Sequence, residues 1–145
     1  MIKTLSVLFV TMFLAAVTGC GSSYEESAFT FGKGEYKFTM YDSTGKKLAD
    51  GTLNVKSKTS NNVSGDYEFA NIYQKDFTGL SSMSGNFEGN INPVEKKVFI
   101  NTNPRIADSN VFWNMKINKS SLSGEWTYSM FRGTGNKGKI KITKQ

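Results

Sequence analysis

For residues 32–145 the sequence predicts an all-β fold, most simply a single antiparallel eight-stranded up-and-down β-barrel. Three observations carry this expectation. Apolar and polar residues alternate in eight consecutive segments, the period that sends successive side chains to opposite faces of a strand. Short stretches of Gly, Asn, Asp, Ser and Lys separate the segments, and the chain has only 2 prolines. Finally, Ser64-Gly65-Asp66-Tyr67, Ser84-Gly85-Asn86-Phe87 and Ser123-Gly124-Glu125-Trp126 repeat one pattern at three strand starts. A glycine two positions before an in-phase aromatic shares its face, and so leaves room for a ring crossing from the next strand. No segment sustains a helical period. Closure removes the edges that an open sheet would expose; a β-sandwich is the second choice.

The elements follow in order. Gly34 to Tyr41 places Tyr36, Phe38 and Met40 on one face, and Asp42-Ser43-Thr44-Gly45-Lys46 is a hairpin signal in which Gly45 can turn left-handed. Lys47 to Ser57 offers Leu53 and Val55, and Val63 to Tyr73 aligns Val63, Tyr67, Phe69 and Tyr73. After a longer connection, Gln74 to Met83, come Ser84 to Ile91 with Phe87 and Ile91, and Lys96 to Thr102 with Val98 and Ile100. Asn103 to Ser109 is a loop, since Pro104 discourages a strand. Asn110 to Asn118 aligns Val111, Trp113, Met115 and Ile117; Leu122 to Phe131 aligns Leu122, Trp126, Tyr128 and Met130; Gly138 to Lys144 supplies Ile140 and Ile142.

A two-residue hairpin loop within Asn118-Lys119-Ser120-Ser121 sets a register for its two strands. Ile117 then faces Leu122, Met115 faces Gly124, Trp113 faces Trp126 and Val111 faces Tyr128, pairs that fix alignment and stabilise the sheet. Tyr41, Ile72, Phe99, Phe112 and Phe131 fall out of phase with the core set and are expected outside or at a rim. Scattered, they need no explanation; contiguous, they mark a partner site.

Residues 1–19 read as an export signal: Lys3, an apolar stretch from Leu5 to Val17, then small residues. Thirteen residues at ~1.5 Å each give about 20 Å of helix, short of a hydrocarbon core of roughly 30 Å. The run Val17-Thr18-Gly19-Cys20 resembles the lipobox of bacterial lipoproteins, with Val17 in place of the favoured leucine and Thr18 where alanine or serine is usual. That resemblance implies cleavage after Gly19 and lipidation of Cys20, with a diacylglyceryl thioether and an N-acyl chain such as palmitate. An ordinary secretory signal with an incidental cysteine is the alternative. Residues 20–31 follow as the lipidated cysteine and a polar tether. More than one acyl chain gives stable residence at a bilayer without a spanning helix, so the implied location is the cell membrane or outer membrane, facing periplasm or exterior. Gly21 rather than aspartate after the cysteine resembles the sorting signal for the outer one. A membrane-spanning eight-stranded barrel would duplicate that anchor and needs longer lipid-facing strands.

Cys20 is the only cysteine and histidine is absent. The domain therefore has no disulfide, and Ser-His-Asp, Cys-His and imidazole-zinc chemistry are excluded. No metal or cofactor motif is present. Asp66, Glu68 and Glu125 are the carboxylates an enzyme would use, and hydrophilic alternation explains all three without catalysis. Of 18 Lys and Arg residues Lys3 lies in the signal, which leaves 17 against 12 acidic residues, a net charge of +5 where the whole chain has +6. Such a surface attracts anionic lipid or an acidic partner; nucleic acid is not expected outside the cytoplasm. Lys137, Lys139, Lys141 and Lys144 form the densest basic run, either a solvated strand face or an anion site.

The glycine-aromatic strand openings resemble those of avidin-like and lipocalin-like (calycin) barrels, which hold small ligands or cap partner proteins. The biotin-contacting residues of avidins and the Gly-x-Trp signature of lipocalins are not found, so no ligand residue is carried over. Two non-enzymatic roles follow. In one, the barrel mouth, lined by Tyr67, Phe87, Trp113, Trp126 and Tyr128, takes a small apolar or aromatic ligand. In the other, the loops Gln74 to Met83 and Asn103 to Ser109 and the outward aromatics engage an envelope protein, for example an exported hydrolase to be inhibited or a complex to be assisted.

Overall fold

The computed structural model describes residues 30–74, 84–106, 108–131 and 133–145. Eight strands, β1 (Gly34–Asp42), β2 (Lys47–Lys58), β3 (Asn62–Ile72), β4 (Ser84–Asn92), β5 (Lys97–Asn101), β6 (Asn110–Ile117), β7 (Ser121–Met130) and β8 (Gly133–Lys144), pair in chain order, all antiparallel. β8 returns to pair with β1, so the sheet closes into a barrel. The expected fold class is the observed one. β8 begins at Gly133, five residues ahead of the expected Gly138, because its Gly- and Asn-rich opening lacks the alternation that marks a strand yet still pairs with β7 through Met130↔Gly133.

The β6–β7 register is the predicted one: Ile117↔Leu122, Met115↔Gly124, Trp113↔Trp126 and Val111↔Tyr128. Gly45 takes φ +87° in the β1–β2 turn, as its place in the hairpin requires. Where the core departs from simple alternation, bulges are the cause. Asp50 pairs with Asn71 and Gly51 with Phe69, so Ala70 is the extra residue in β3. One extra residue inverts every face beyond it. Ile72, expected outside, therefore packs against the core, and Tyr73, expected inside, is 52% exposed. Leu48 is likewise skipped between Met40↔Ala49 and Tyr41↔Lys47, and both Leu48 and Ala49 are buried. Met130, though in phase, ends β7 at the rim and is partly exposed.

The interior is filled by rings lying over glycines. The glycine-aromatic repeats of β3 and β4 face each other, with Gly65↔Phe87 and Tyr67↔Gly85 in register. A Cβ added at Gly65 would stand 2.9 Å from Phe87 Cε1, and one added at Gly85 would stand 2.9 Å from the Tyr67 hydroxyl. Each repeat thus supplies the glycine that its neighbour's ring covers. Trp126 reaches across β8 in the same way. It passes over Gly138, where a Cβ would meet its Nε1 at 2.8 Å, and donates a hydrogen bond to the Tyr41 carbonyl of β1 at 2.8 Å. At the centre Phe38 meets Phe69 and Trp113 at 5.3 and 5.1 Å between ring centroids, and Tyr67 meets Phe69 and Trp113 at 5.8 and 6.3 Å. Tilted and edge-on rings of this kind pack densely while avoiding face-to-face repulsion, and eight strands enclose a space about right for side chains to fill.

Phe31, placed by sequence at the end of the tether, belongs to the core. It is buried and stoppers the end at which the chain enters, its ring centroid 5.1 Å from that of Tyr36. The Tyr36 hydroxyl fixes this arrangement, accepting from Gly32 N at 3.0 Å and donating to Gly32 O at 2.8 Å. Its signal was hidden because Phe31 lies outside any alternating run.

Trp113 is as completely buried as Trp126, but its indole nitrogen has no hydrogen-bond partner. Replacing either with phenylalanine removes similar volume, so the difference compares a satisfied indole N–H with an unpaired one. Trp126→Phe is expected to cost about 1–3 kcal/mol more than Trp113→Phe, measured by urea unfolding; the reverse order would contradict this account of the core.

Candidate functional site

The residues predicted to line a ligand mouth are brought into the barrel but do not surround an opening. Phe87, Trp113 and Trp126 are enclosed, Tyr67 is buried against Phe69 and Trp113, and Tyr128 is partly buried on the core. Four surface cavities lie on the outer wall or at a barrel end, and of the five residues only Tyr67 reaches a wall of any of them. Burial raises the Tyr67 phenol above its ordinary pKa, so it is neutral. Cys20 lies outside the described residues, as do the tether positions up to 29 and the connection at 75–83.

The carboxylates do not converge either. Asp66 pairs with Lys56 on the outside of the barrel, Glu68 is exposed beside it on β3, and Glu125 pairs with Lys139 at 2.8 Å on the far wall. The Lys139 ammonium beside it holds the Glu125 carboxyl below its usual range. Among the described residues no cluster of His, Cys, Asp or Glu is arranged to hold a metal ion.

The outward residues sort by height. Phe99 and Phe112 stack at 5.5 Å on the wall of β5 and β6, half-buried. The larger accumulation is at the end opposite the chain's entry, the distal rim, where β1, β3, β5 and β7 end. Of the exposed large hydrophobic residues among those described, Tyr73 (52%), Ile106 (54%), Met130 (42%) and Phe131 (94%) stand there and Val94 is elsewhere.

Two aspartates mount this rim. Asp42 Oδ1 accepts from the backbone amides of Thr44 and Lys46 and from the Thr44 hydroxyl, at 2.9, 3.0 and 2.6 Å, while Oδ2 accepts from Gln74 Nε2 at 3.0 Å. One carboxylate thereby closes the β1–β2 turn and ties down the exit of β3. Asp108 does the same for the other half: its Oδ1 accepts from Ser109 N at 2.8 Å and from Phe131 N at 2.6 Å, joining the β5–β6 loop to the β7–β8 turn. Asn110, buried beneath, donates from Nδ2 to the Ile106 carbonyl at 2.9 Å. Ile106 and Phe131 are thus displayed from two loops held together by one side chain. Beside Asp42, Lys47 stands 4.6 Å over the Tyr73 ring, and the Tyr73 hydroxyl donates to Asp50 at 2.8 Å. The Asp50 carboxylate raises the Lys47 pKa, the opposite of what a catalytic base requires.

The sequence named the Asn103 to Ser109 loop, which holds Ile106, and Phe131 as candidate binding elements, but Met130 and Tyr73 were missed as rim residues. The bulge in β3 hid Tyr73, and Met130 was in phase with the core. Comparison with known proteins gives no match: no family model fits the sequence, and neither a curated protein nor a solved structure matches it.

Hydrogen bonds led by that from Thr44 lower the Asp42 pKa to about 2, from an ordinary 3.8. A depressed carboxylate contributes stability that is fully present above its unfolded pKa and is lost as pH falls toward the folded one. Thermal unfolding of the wild-type chain is therefore expected to lose stability between about pH 4 and pH 2 in part through this group, and Asp42→Asn is expected to flatten that acid limb. An unchanged limb would show that Asp42 does not support the rim.

Proposed function

We propose that this chain is an exported lipoprotein, anchored through an acylated Cys20, whose barrel is a non-enzymatic interaction module engaging a protein of the cell envelope through its distal rim. The observation that carries this reading is the gathering of Ile106, Met130, Phe131 and Tyr73 at one end, on loops pinned by Asp42 and Asp108. Apolar side chains held in fixed positions lose little entropy on binding, and a large aromatic projecting from a rim is the kind of anchor on which protein interfaces depend. Exposed apolar groups accumulated in one place mark an interaction surface.

The packed interior supports recognition from outside over a small ligand in the lumen. To enter, such a ligand would have to displace rings that already contact one another and cover backbone. The entry point of the chain, at the end away from the rim, supports the same orientation, since an anchor on that side leaves the distal rim free to meet a partner.

A photo-crosslinking residue placed at Phe131 in the expressed full-length chain is expected to yield a discrete adduct in the envelope fraction, and one placed at Thr52 on the outer wall is expected to yield none. Ile106→Asp, read from a crosslinker at Met130, is expected to reduce the adduct at least tenfold without lowering the melting temperature by more than a few degrees. The same adduct from position 52, or none from 131, would contradict the assignment, and the mass of the N-terminal peptide separately reports whether Cys20 is acylated.

A further inference from the structure

The end at which the chain enters has the opposite chemistry to the distal rim. It is built from residues 30–34 and from the turns after β2, β4 and β6, and a groove of about 600 Å³ opens between them. Phe31, Ile91 and Ile117 give it an apolar floor, Lys58, Lys96 and Lys119 stand around it, and among the described residues no carboxylate lines it. The acid of the adjoining turn, Glu95, is occupied by Lys97 at 2.5 Å. No ion pair among the described residues engages Lys58, Lys96 or Lys119.

The turns that carry these groups are fixed. Asn92 Oδ1 accepts from Val94 N and Glu95 N at 3.1 and 3.0 Å, so the turn stands up with Val94 at its tip, 91% exposed. Ile91 N donates to Asn61 O and Ile117 N to Lys96 O, both at 2.7 Å, stitching the three turns together. Lys96 has φ +53°, the left-handed region where glycine or asparagine is the ordinary choice. A lysine occupies a backbone position that disfavours it, and its charge stands at the groove.

We propose that this end docks on a bilayer containing anionic phospholipid, with Lys58, Lys96 and Lys119 on headgroup phosphates, the groove receiving one headgroup and its glycerol, and Val94 entering the interface. An apolar floor ringed by unpaired cations complements an anionic amphiphile and suits neither a neutral sugar nor an acidic peptide without apolar parts. The inference rests on the lipoprotein reading for its geometry. Thr30 lies ten positions after Cys20, and ten steps at ~3.3–3.6 Å each reach about 35 Å at most. An anchored barrel would thus hold this end near the membrane. Each lysine brought within a Debye length of an anionic surface is expected to strengthen binding roughly fivefold.

The test is co-sedimentation of the chain from residue 20 onward, carrying Cys20→Ser so that no acyl chain contributes, with vesicles of phosphatidylcholine alone or mixed with phosphatidylglycerol. Binding is expected to require phosphatidylglycerol and to fall roughly 25-fold in Lys96→Gln/Lys119→Gln, but less than twofold in Lys137→Gln/Lys141→Gln, which removes the same charge from the β8 wall. Lys96→Gly separates binding from folding: it relieves the left-handed residue, so it is expected to melt no lower than the parent while binding about fivefold less. Equal losses for the two double variants, full binding by Lys96→Gly, or no preference for phosphatidylglycerol would overturn the proposal. An unacylated Cys20 in the native chain would sink the lipoprotein reading alone, since vesicle binding by the unacylated chain is measured independently.

Discussion

Aromatic rings lying over glycines of the adjacent strand are the contact on which the rest of this barrel depends. A strand that brings a bulky residue inward at every second position would crowd the interior of a small barrel; a strand with none would leave it hollow. Gly65 and Gly85 resolve this reciprocally, since each accepts the ring of the other's strand, Phe87 and Tyr67 respectively. Gly138 extends the device across three strands by letting Trp126 reach the Tyr41 carbonyl. With no disulfide available, these contacts and the Phe38, Phe69 and Trp113 cluster back the β8–β1 backbone pairing that closes the sheet.

The interior is filled, and the surface is polarised along the barrel axis. The distal rim displays apolar side chains on loops held by two aspartates; the entry end displays lysines around an apolar groove stoppered by Phe31. Antiparallel up-and-down topology makes such division of labour simple, because alternate connections all emerge at the same end. Charge and apolarity can then be assigned to connections 2, 4 and 6 or to 1, 3, 5 and 7 without disturbing a single core position.

Much of the fold was legible because alternation and turn chemistry agreed. The β6–β7 register followed from a two-residue loop, and the Ser-Gly-polar-aromatic repeats announced the rings that cross their glycines. Bulges were not legible: nothing in Phe69-Ala70-Asn71-Ile72-Tyr73 says that Ala70 is the extra residue, so Ile72 and Tyr73 were assigned to the wrong faces. Phe31 was missed because one apolar residue ahead of a strand has no period. The surface features were missed for a different reason. Lys58, Lys96 and Lys119 are far apart in sequence, as are Ile106 and Phe131, and only closure of the barrel collects each set.

In the proposed function the lumen is occupied by its own side chains and recognition takes place outside. Xenon reports this directly, because it enters dry apolar cavities large enough to hold it and leaves close-packed cores empty. A crystal of the protein under xenon pressure is predicted to show no ordered xenon atom among Phe38, Tyr67, Phe87 and Trp113. An ordered xenon atom among those rings would contradict the account and return the barrel interior to consideration as a ligand site.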